Sequence, residues 1–427
     1  MQPCSGSIFR TLAASVRPWV ILSEKRWSSY QVCGYTGLLL GFVQSVMLVR
    51  RLGLSQLALL GITGVVSLTF VVLVMVTKIL IGEEVIVFYH HEIGTVAMTA
   101  TLLRVTGQPV LPYLDITVLG VGIFLACGRL GCLLVGCCHG RPWRWGVKYN
   151  DEHARAGFPS YLVGVRLFPV QAVESLAVLL IVVAGVAILM RRSPPGSALA
   201  WYVMSYGVLR FCLEFLRGDA ERPYWLGFSE AQWTSLILMS CVVWAEYSRV
   251  VPFHLWHFLA TLGLAVAMIA VALFRSYRKT PMHQFLHPRH VKEFSEAVAL
   301  VSRFSTERPT YPGSDSTIHI AHTSLGIRIS AGLVRQGTTP IRHYTLSSER
   351  TRMTAQDAKC LARLIRRLRH ADESAKVVHG GPGVFHVLIQ NAPGDQEQGW
   401  KSLLRRGIPQ LGRGPEATVL TGPPTQL

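Results

Sequence analysis

The chain has 427 residues, half of them hydrophobic and only 15% charged, with a formal charge of +18 and a mean hydropathy of +0.36. That balance excludes a disordered polyelectrolyte and argues against an ordinary soluble enzyme, since soluble domains carry about a quarter charged residues. Nine cysteines do not make a secreted disulfide scaffold here, because Cys127, Cys212 and Cys241 fall inside apolar runs, where a free cysteine behaves as a small hydrophobe.

Residues 1–31 contain Arg10, Arg17, Lys25 and Arg26 but no sustained apolar core with a cleavage site, so no secretory signal is expected and the first apolar run does the inserting. Runs of about 20 apolar residues, the length needed to cross the hydrocarbon core, recur at roughly 32–49, 57–79, 85–103, 111–135, 170–190, 198–216, 231–248 and 253–274. The expected fold is an all-α integral membrane protein of seven or eight transmembrane helices. Arg50-Arg51, Arg104 and Arg191-Arg192 follow the first, third and fifth runs, which puts those loops in the cytoplasm and the loop after the fourth run outside.

Charged groups inside apolar runs are costly and mark function. The third run opens on "EEVIVFYHHEIG", which offers Glu84, Tyr89, His90, His91 and Glu92. At the end of the fourth, "GRLGCLLVGCCHGR" combines Arg129, Cys132, Cys137, Cys138, His139 and Arg141. Adjacent cysteines are poor spacing for a closed tetrahedral site, and no second ligand pair follows, so neither a metal nor another cofactor is expected. "FPVQAVES" sets Gln171 and Glu174 three residues apart on one helix face. In "YGVLRFCLEFLRGD", Arg210, Glu214 and Arg217 fall within about 60° of one another on a helix, with Asp219 just beyond. Several arginines around apolar spans suit bidentate capture of a phosphate headgroup.

The apolar pattern stops at Phe274, dividing the chain into an N-terminal segment (1–31), a transmembrane part (32–274) and a basic tail (275–427). From residue 277 onward the tail holds 21 Lys/Arg against 11 Asp/Glu, a charge suited to anionic lipid surfaces, and no nucleic-acid partner is expected. A small α+β or partly disordered unit is expected. Strand-like alternation runs over 317–332 and 384–390, an amphipathic helix follows the N-cap candidate Thr354, and the Gly/Pro-rich end after Trp400 reads as disordered. The Arg275, Arg278 and Lys279 cluster favours a cytoplasmic tail.

Four stretches in this order resemble the motifs of the bacterial phosphatidylglycerol:prolipoprotein diacylglyceryl transferases. "GRLGCLLVGCCHGR" is similar to that family's Gly-Arg-x-Gly-Asn signature and "FPVQAVE" to its His-Pro-Ser-Gln-x-Tyr-Glu segment. "YGVLRFCLEFLRGD" resembles the Arg-Phe-x-x-Glu-x-x-Arg block, and "GFSEAQWTSL" at 227–236, with Gln232, the closing Ser-Met-Gly-Gln stretch. The resemblance covers roughly 35–248. It implies a multi-pass transferase of the bacterial plasma membrane, moving a diacylglyceryl group from phosphatidylglycerol to a cysteine thiol of a precursor lipoprotein. Arg129, Arg210, Glu214 and Arg217 match essential positions, and the base such a reaction needs would be His90, His91 or His139. Arg141, Gln171, Glu174, Arg217, Asp219 and Gln232 would bind substrate. Departures are Cys132 for the signature asparagine, Cys137 for a following glutamate, Phe168 for the motif histidine, and Tyr89 or His90 where the family has histidine. The alternatives are a lipid-binding scaffold without activity, or a lipid transferase with another acceptor.

Overall fold

In the computed structural model, residues 16–81, 88–277, 282–307, 318–336, 339–369, 373–391 and 419–420 are described. Glu84 lies outside them. After a short hairpin, β1 (Trp19–Leu22) and β2 (Lys25–Ser28), the apolar runs become helices α1 (Ser29–Arg51), α2 (Gln56–Ile81), α3 (Phe88–Val105) and α4 (Val110–Val135). A connector follows, holding β3 (Pro142–Lys148), the one-turn α5 (Asp151–Arg155) and β4 (Arg166–Leu167). Four more helices complete the bundle, α6 (Val170–Met190), α7 (Ser197–Glu214), α8 (Glu230–Tyr247) and α9 (Leu255–Tyr277), with a small hairpin of β5 (Tyr224–Trp225) and β6 (Phe228–Ser229) between α7 and α8.

The protein is a helical membrane protein. Among the described residues, five helices are long and apolar enough to cross a membrane: Ser29–Arg51, Gln56–Ile79, Val110–Val135, Val170–Met190 and Leu255–Tyr277. The expected count of seven or eight includes α3, α7 and α8, each 18 residues long. These three carry His90, His91, Glu92, Arg210, Glu214, Glu230 and Glu246, and that polar load lowers their hydropathy. Burial is inverted relative to a soluble protein, since Leu57, Ile79, Leu176, Leu180, Ile237 and Ile269 point outward.

Without a hydrophobic drive between helices in lipid, close packing has to come from small residues. Helices α1 and α4 meet in this way. A Cβ added at Gly41 would sit 2.7 Å from the Gly120 carbonyl oxygen, and one at Gly37 2.7 Å from the Cys127 Cβ. At the opposite end of α4, the buried Asp115 carboxylate accepts hydrogen bonds of 2.7 Å from the Gly196 and Leu199 amides, capping α7. Helix α9 is tied to α8 by Glu246, whose carboxylate meets the His257 ring and accepts from the His254 amide at 3.2 Å.

The described residues of the tail form an α+β unit. It comprises α10 (Met282–Phe285), α11 (Pro288–Glu307), β7 (Ile320–His322), β8 (Ile327–Gln336), β9 (Thr339–Ser348), α12 (Ala355–Arg369), β10 (Glu373–Gly381), β11 (Val384–Asn391) and β12 (Val419–Leu420). The strands form one sheet in the order β10-β11-β9-β8-β7-β12, antiparallel except for the β12–β7 pair. The alternation at 317–332 resolves into β7 and β8 around a turn at Gly326, with φ 76°. Thr354 caps α12 as expected, accepting from the Asp357 amide while Asp357 accepts from the Thr354 amide. Val419–Leu420 lies after Trp400 yet is strand, and the rest of that stretch falls outside the described residues.

This unit does not stand apart. Val147, Tyr149, Phe158, Leu162 and Leu167 of the connector share one buried core with Phe294, Val298, Ile329, Leu346, Leu361 and Val387 of the tail. The Arg367 guanidinium lies 5.3 Å over the Trp143 ring and donates to the Pro142 carbonyl, while Ser295 reaches the Tyr161 carbonyl. Connector and tail therefore share one side of the membrane. The expectations of an external connector and of a cytoplasmic tail therefore cannot both hold.

The α1–α4 contact gives a direct test. Gly41→Ala should lower thermal stability in detergent by about 1–3 kcal/mol, because its methyl meets backbone that cannot yield. Gly34→Ala, with nothing within 4 Å of its added Cβ, should leave stability unchanged or raise it by about 0.5–1 kcal/mol. Equal effects at both glycines would refute the packing role.

Candidate active site

Helix α4 stops at Gly136, whose φ of 94° suits glycine and whose amide closes back onto the Cys132 carbonyl. Cys138, at φ 53°, turns the chain a second time. The chain then runs beside the segment that leaves α7. The Arg141 amide donates to the Leu216 carbonyl at 3.0 Å, and the Gly218 amide to the His139 carbonyl at 2.9 Å. Gln171, in the first turn of α6, donates from Nε2 to the Cys137 carbonyl and fixes this turn against the bundle.

At the centre stands Glu174, fully buried. Its Oε2 lies 3.0 Å from Arg129 Nε and 3.9 Å from Arg217 Nη1, and its Oε1 lies 3.9 Å from Arg210 Nε and accepts from the Tyr206 hydroxyl at 3.1 Å. Around this core, Arg210 Nη1 pairs with Glu214 at 2.8 Å and Arg217 with Asp219 at 2.8 Å. Arg222 links the two outer acids, bonding Asp219 at 3.0 Å and meeting Glu214 directly. Four guanidiniums surround three carboxylates, which leaves one net positive charge. Arg141 adds another guanidinium at the margin, donating from Nε to the Arg217 carbonyl.

Beside the network, between α3, α4, α7 and α8, lies a cavity of about 240 Å³. Its walls are largely apolar, formed by residues such as Ile93, Val96, Val118, Leu199 and Val203, while Glu92, Arg210, Thr234, Ser235 and three tyrosines, Tyr89, Tyr202 and Tyr206, bring polar groups. The space inside the bundle is hydrocarbon-like with a guanidinium in its lining.

The candidate residues thus separate into groups. Arg129, Glu174, Arg210, Glu214, Arg217 and Asp219 form one network, with Gln171 and Arg141 bracing its edge. His139 is buried, with Nδ1 3.0 Å from the Gly140 carbonyl and its ring against Phe158. His90 is half-exposed and pairs with Glu230 at 2.8 Å, at the first turn of α8. Gln232 belongs to a capping box at that helix start, where its Oε1 accepts from the Ser229 amide. Two members escaped the sequence reading. Tyr206 lies four residues before Arg210 on α7, a spacing that continues the stripe and could have revealed it, whereas the helix ends at Glu214, so Arg217, expected on that stripe, and Arg222 reach the network from the turn beyond it. Arg289 of the tail, donating to the Ala220 and Arg222 carbonyls at 3.3 and 3.1 Å, carried no sequence signal.

The sulfurs of Cys132, Cys137 and Cys138 come within 4.8 Å of one another. Spacing along the chain hid this, because the double reversal at Gly136 and Cys138 folds the later pair back on the helix end. Hydrogen bonding from Cys132 and Cys137, aided by the Arg217 and Arg129 guanidiniums, holds the Cys138 thiol well below the usual thiol range.

Similar proteins are known. The phosphatidylglycerol–prolipoprotein diacylglyceryl transferase of Dehalococcoides mccartyi is 33% identical over 132 residues, 30% of this chain and 48% of its own length. The namesake in Clostridium tetani is 26% identical over 210 residues, 44% of this chain and 82% of its own. The protein named transferase 2 in Clostridium perfringens is 29% identical over 136 residues, 30% of this chain and 49% of its own. The chain thus spans about half the length of the Dehalococcoides relatives it matches. A family profile described as prolipoprotein diacylglyceryl transferase matches residues 26–247, which takes in the whole arginine network and its supporting helices, and the chain belongs to that family.

Proposed function

We propose that this protein transfers the diacylglyceryl group of phosphatidylglycerol to a cysteine thiol of a precursor lipoprotein, at the outer face of a bacterial plasma membrane. One observation carries the reading: an arginine network with a positive surplus stands where a largely apolar cavity within the bundle has Arg210 in its lining. A phospholipid demands that pairing, with hydrocarbon on one side and phosphate on the other. In the reaction the acceptor sulfur forms a bond to the terminal glyceryl carbon, the carbon–oxygen bond breaks, and glycerol phosphate leaves with the electron pair.

Arg129 and Arg210 clamp the phosphate, their charges already ordered by Glu174 and Glu214, so little reorganisation is needed as negative charge develops. Arg217, with Asp219 behind it, and Arg141 guide the headgroup, while Gln171 holds the loop in register. Gln232 acts through the start of α8 rather than on lipid. Of the candidate histidines, His139 lies at the turn beside Gly218, and His90 at the opening of α3 is held by Glu230.

We further propose that all eight long helices cross the membrane. The shared core of connector and tail supports an even number of crossings between them, which α6 to α9 supply, and the basic ends of α1, α3 and α6 then face the cytoplasm.

Arg129→Ala and Arg210→Ala should each reduce transfer of labelled phosphatidylglycerol to a lipobox peptide by about 10²–10³-fold, with membrane insertion intact. Lysine should not rescue either, because it lacks the bidentate fork. Glu174→Gln should also cost about 3–5 kcal/mol of stability in thermal unfolding, since it strips the shared partner from buried guanidiniums. Wild-type rates in either alanine variant would remove the clamp assignment.

A second measurement addresses the crossings. An alkaline phosphatase fusion after Lys279 should be active and one after Arg192 inactive. The reverse pattern would overturn the proposed topology.

A further inference from the structure

Three thiols converge at the end of α4, on the rim of the arginine network. Cys132 is buried in the last turn of the helix, Cys138 is half-buried, and Cys137 is exposed. The turn that brings them together is pinned at both ends, by the Gly136 amide on the Cys132 carbonyl and by Gln171 on the Cys137 carbonyl. Zinc–sulfur bonds of about 2.3 Å set the sulfurs of a tetrahedral site about 3.8 Å apart. The observed spread, within 4.8 Å, leaves only a small contraction.

We propose that Cys132, Cys137 and Cys138 bind a zinc ion whose open fourth position takes the acceptor thiol, so that this chain activates its nucleophile by metal coordination. The inference rests on the transferase reading for the identity of the acceptor. Three protein ligands with one open position is the pattern of catalytic rather than structural zinc. The cluster of metal-binding groups contains no fourth donor among the described residues, and its exposed member, Cys137, opens the site to the surface.

Charge supports the same ion. A divalent cation on three thiolates carries one net negative charge, and a fourth thiolate makes it two. The segment bearing Arg217 runs directly beside Cys138 and His139, its Gly218 amide on the His139 carbonyl, so positive charge stands next to both states. Arg217 shares Glu174 with Arg129, one of the two proposed phosphate clamps, so a thiolate on the metal is delivered beside the glyceryl carbon. His90 is engaged by Glu230 and His139 by its own chain at Gly140. A coordinated thiol is deprotonated outright, and the chemistry then needs no histidine base. The acceptor thiol releases its proton to solvent as it binds zinc, and its sulfur pair forms the bond to carbon. The carbon–oxygen electrons leave with glycerol phosphate, and the neutral thioether, a poorer ligand, departs. No oxidation state changes.

The test uses purified full-length protein in detergent, with zinc and cobalt(II) as probes. Elemental analysis should find one zinc per chain, removable by chelator and restored by added zinc. Cys132→Ser, Cys137→Ser and Cys138→Ser combined should abolish it, and Cys137→Ser alone should weaken binding at least tenfold, a milder variant in case the triple one misfolds. In the cobalt form, the sulfur charge-transfer absorption should change on adding a lipobox peptide and not its Cys→Ser counterpart, with no lipid present. Chelated wild-type protein should lose thiol transfer at neutral pH and regain it with zinc. Substoichiometric zinc after reconstitution, zinc retained by the triple variant, an unresponsive cobalt spectrum, or full transfer without metal would each overturn the proposal. If metal and peptide bind but phosphatidylglycerol yields no thioether, the transfer reading fails and the metal site stands.

Discussion

A carboxylate with no exposure to solvent, Glu174, holds the bundle's chemistry together. Burying one charge in an apolar interior is prohibitive, and burying it among three guanidiniums makes the assembly possible only when all parts arrive in register. Arg129 comes from α4, Glu174 from α6, Arg210 from α7 and Arg217 from the turn beyond it, so each helix must settle at one depth and one rotation. The small residues between α1 and α4, and the Asp115 cap on α7, serve that requirement at a distance. They fix the helices from which the guanidiniums project.

Much of this was legible because periodicity and charge are local. Arg210 and Glu214 four apart on an apolar helix have few explanations, and Glu174 three residues after Gln171 has the same character. Tyr206 obeys the same spacing and was readable in principle, whereas Arg217 and Arg222 lie past the helix end at Glu214 and join the network through the turn. What stayed hidden was produced by chain reversal. The approach of Cys132 to Cys137 and Cys138 depends on two left-handed residues in three, and no ligand spacing announces it. The expectation of no metal came from spacing along the chain, whereas coordination depends on distance in space. Gln232 shows the opposite case, a motif residue whose contacts are those of a helix cap.

The tail was legible in its elements and not in its attachment. Alternation and the Thr354 cap foretold strand and helix, but nothing in a basic segment says that its apolar face seeks Tyr149, Phe158 and Leu167. Juxtamembrane charge weighs residues near a span and carries no information about where the folded domain docks. Arg289 shows what docking adds, since it holds two carbonyls of the segment that presents Arg222.

That common core also orders events in time. The connector around Phe158 leaves the ribosome long before Ile389, the last core residue contributed by the tail. At about 5–20 residues per second the interval is roughly 10–45 s. Throughout it the connector's apolar face has no partner, and the loop bearing Arg222 lacks its clamp. The bundle can insert during synthesis, but the contacts of Arg289 and of the shared core form only after the strands of the tail are made.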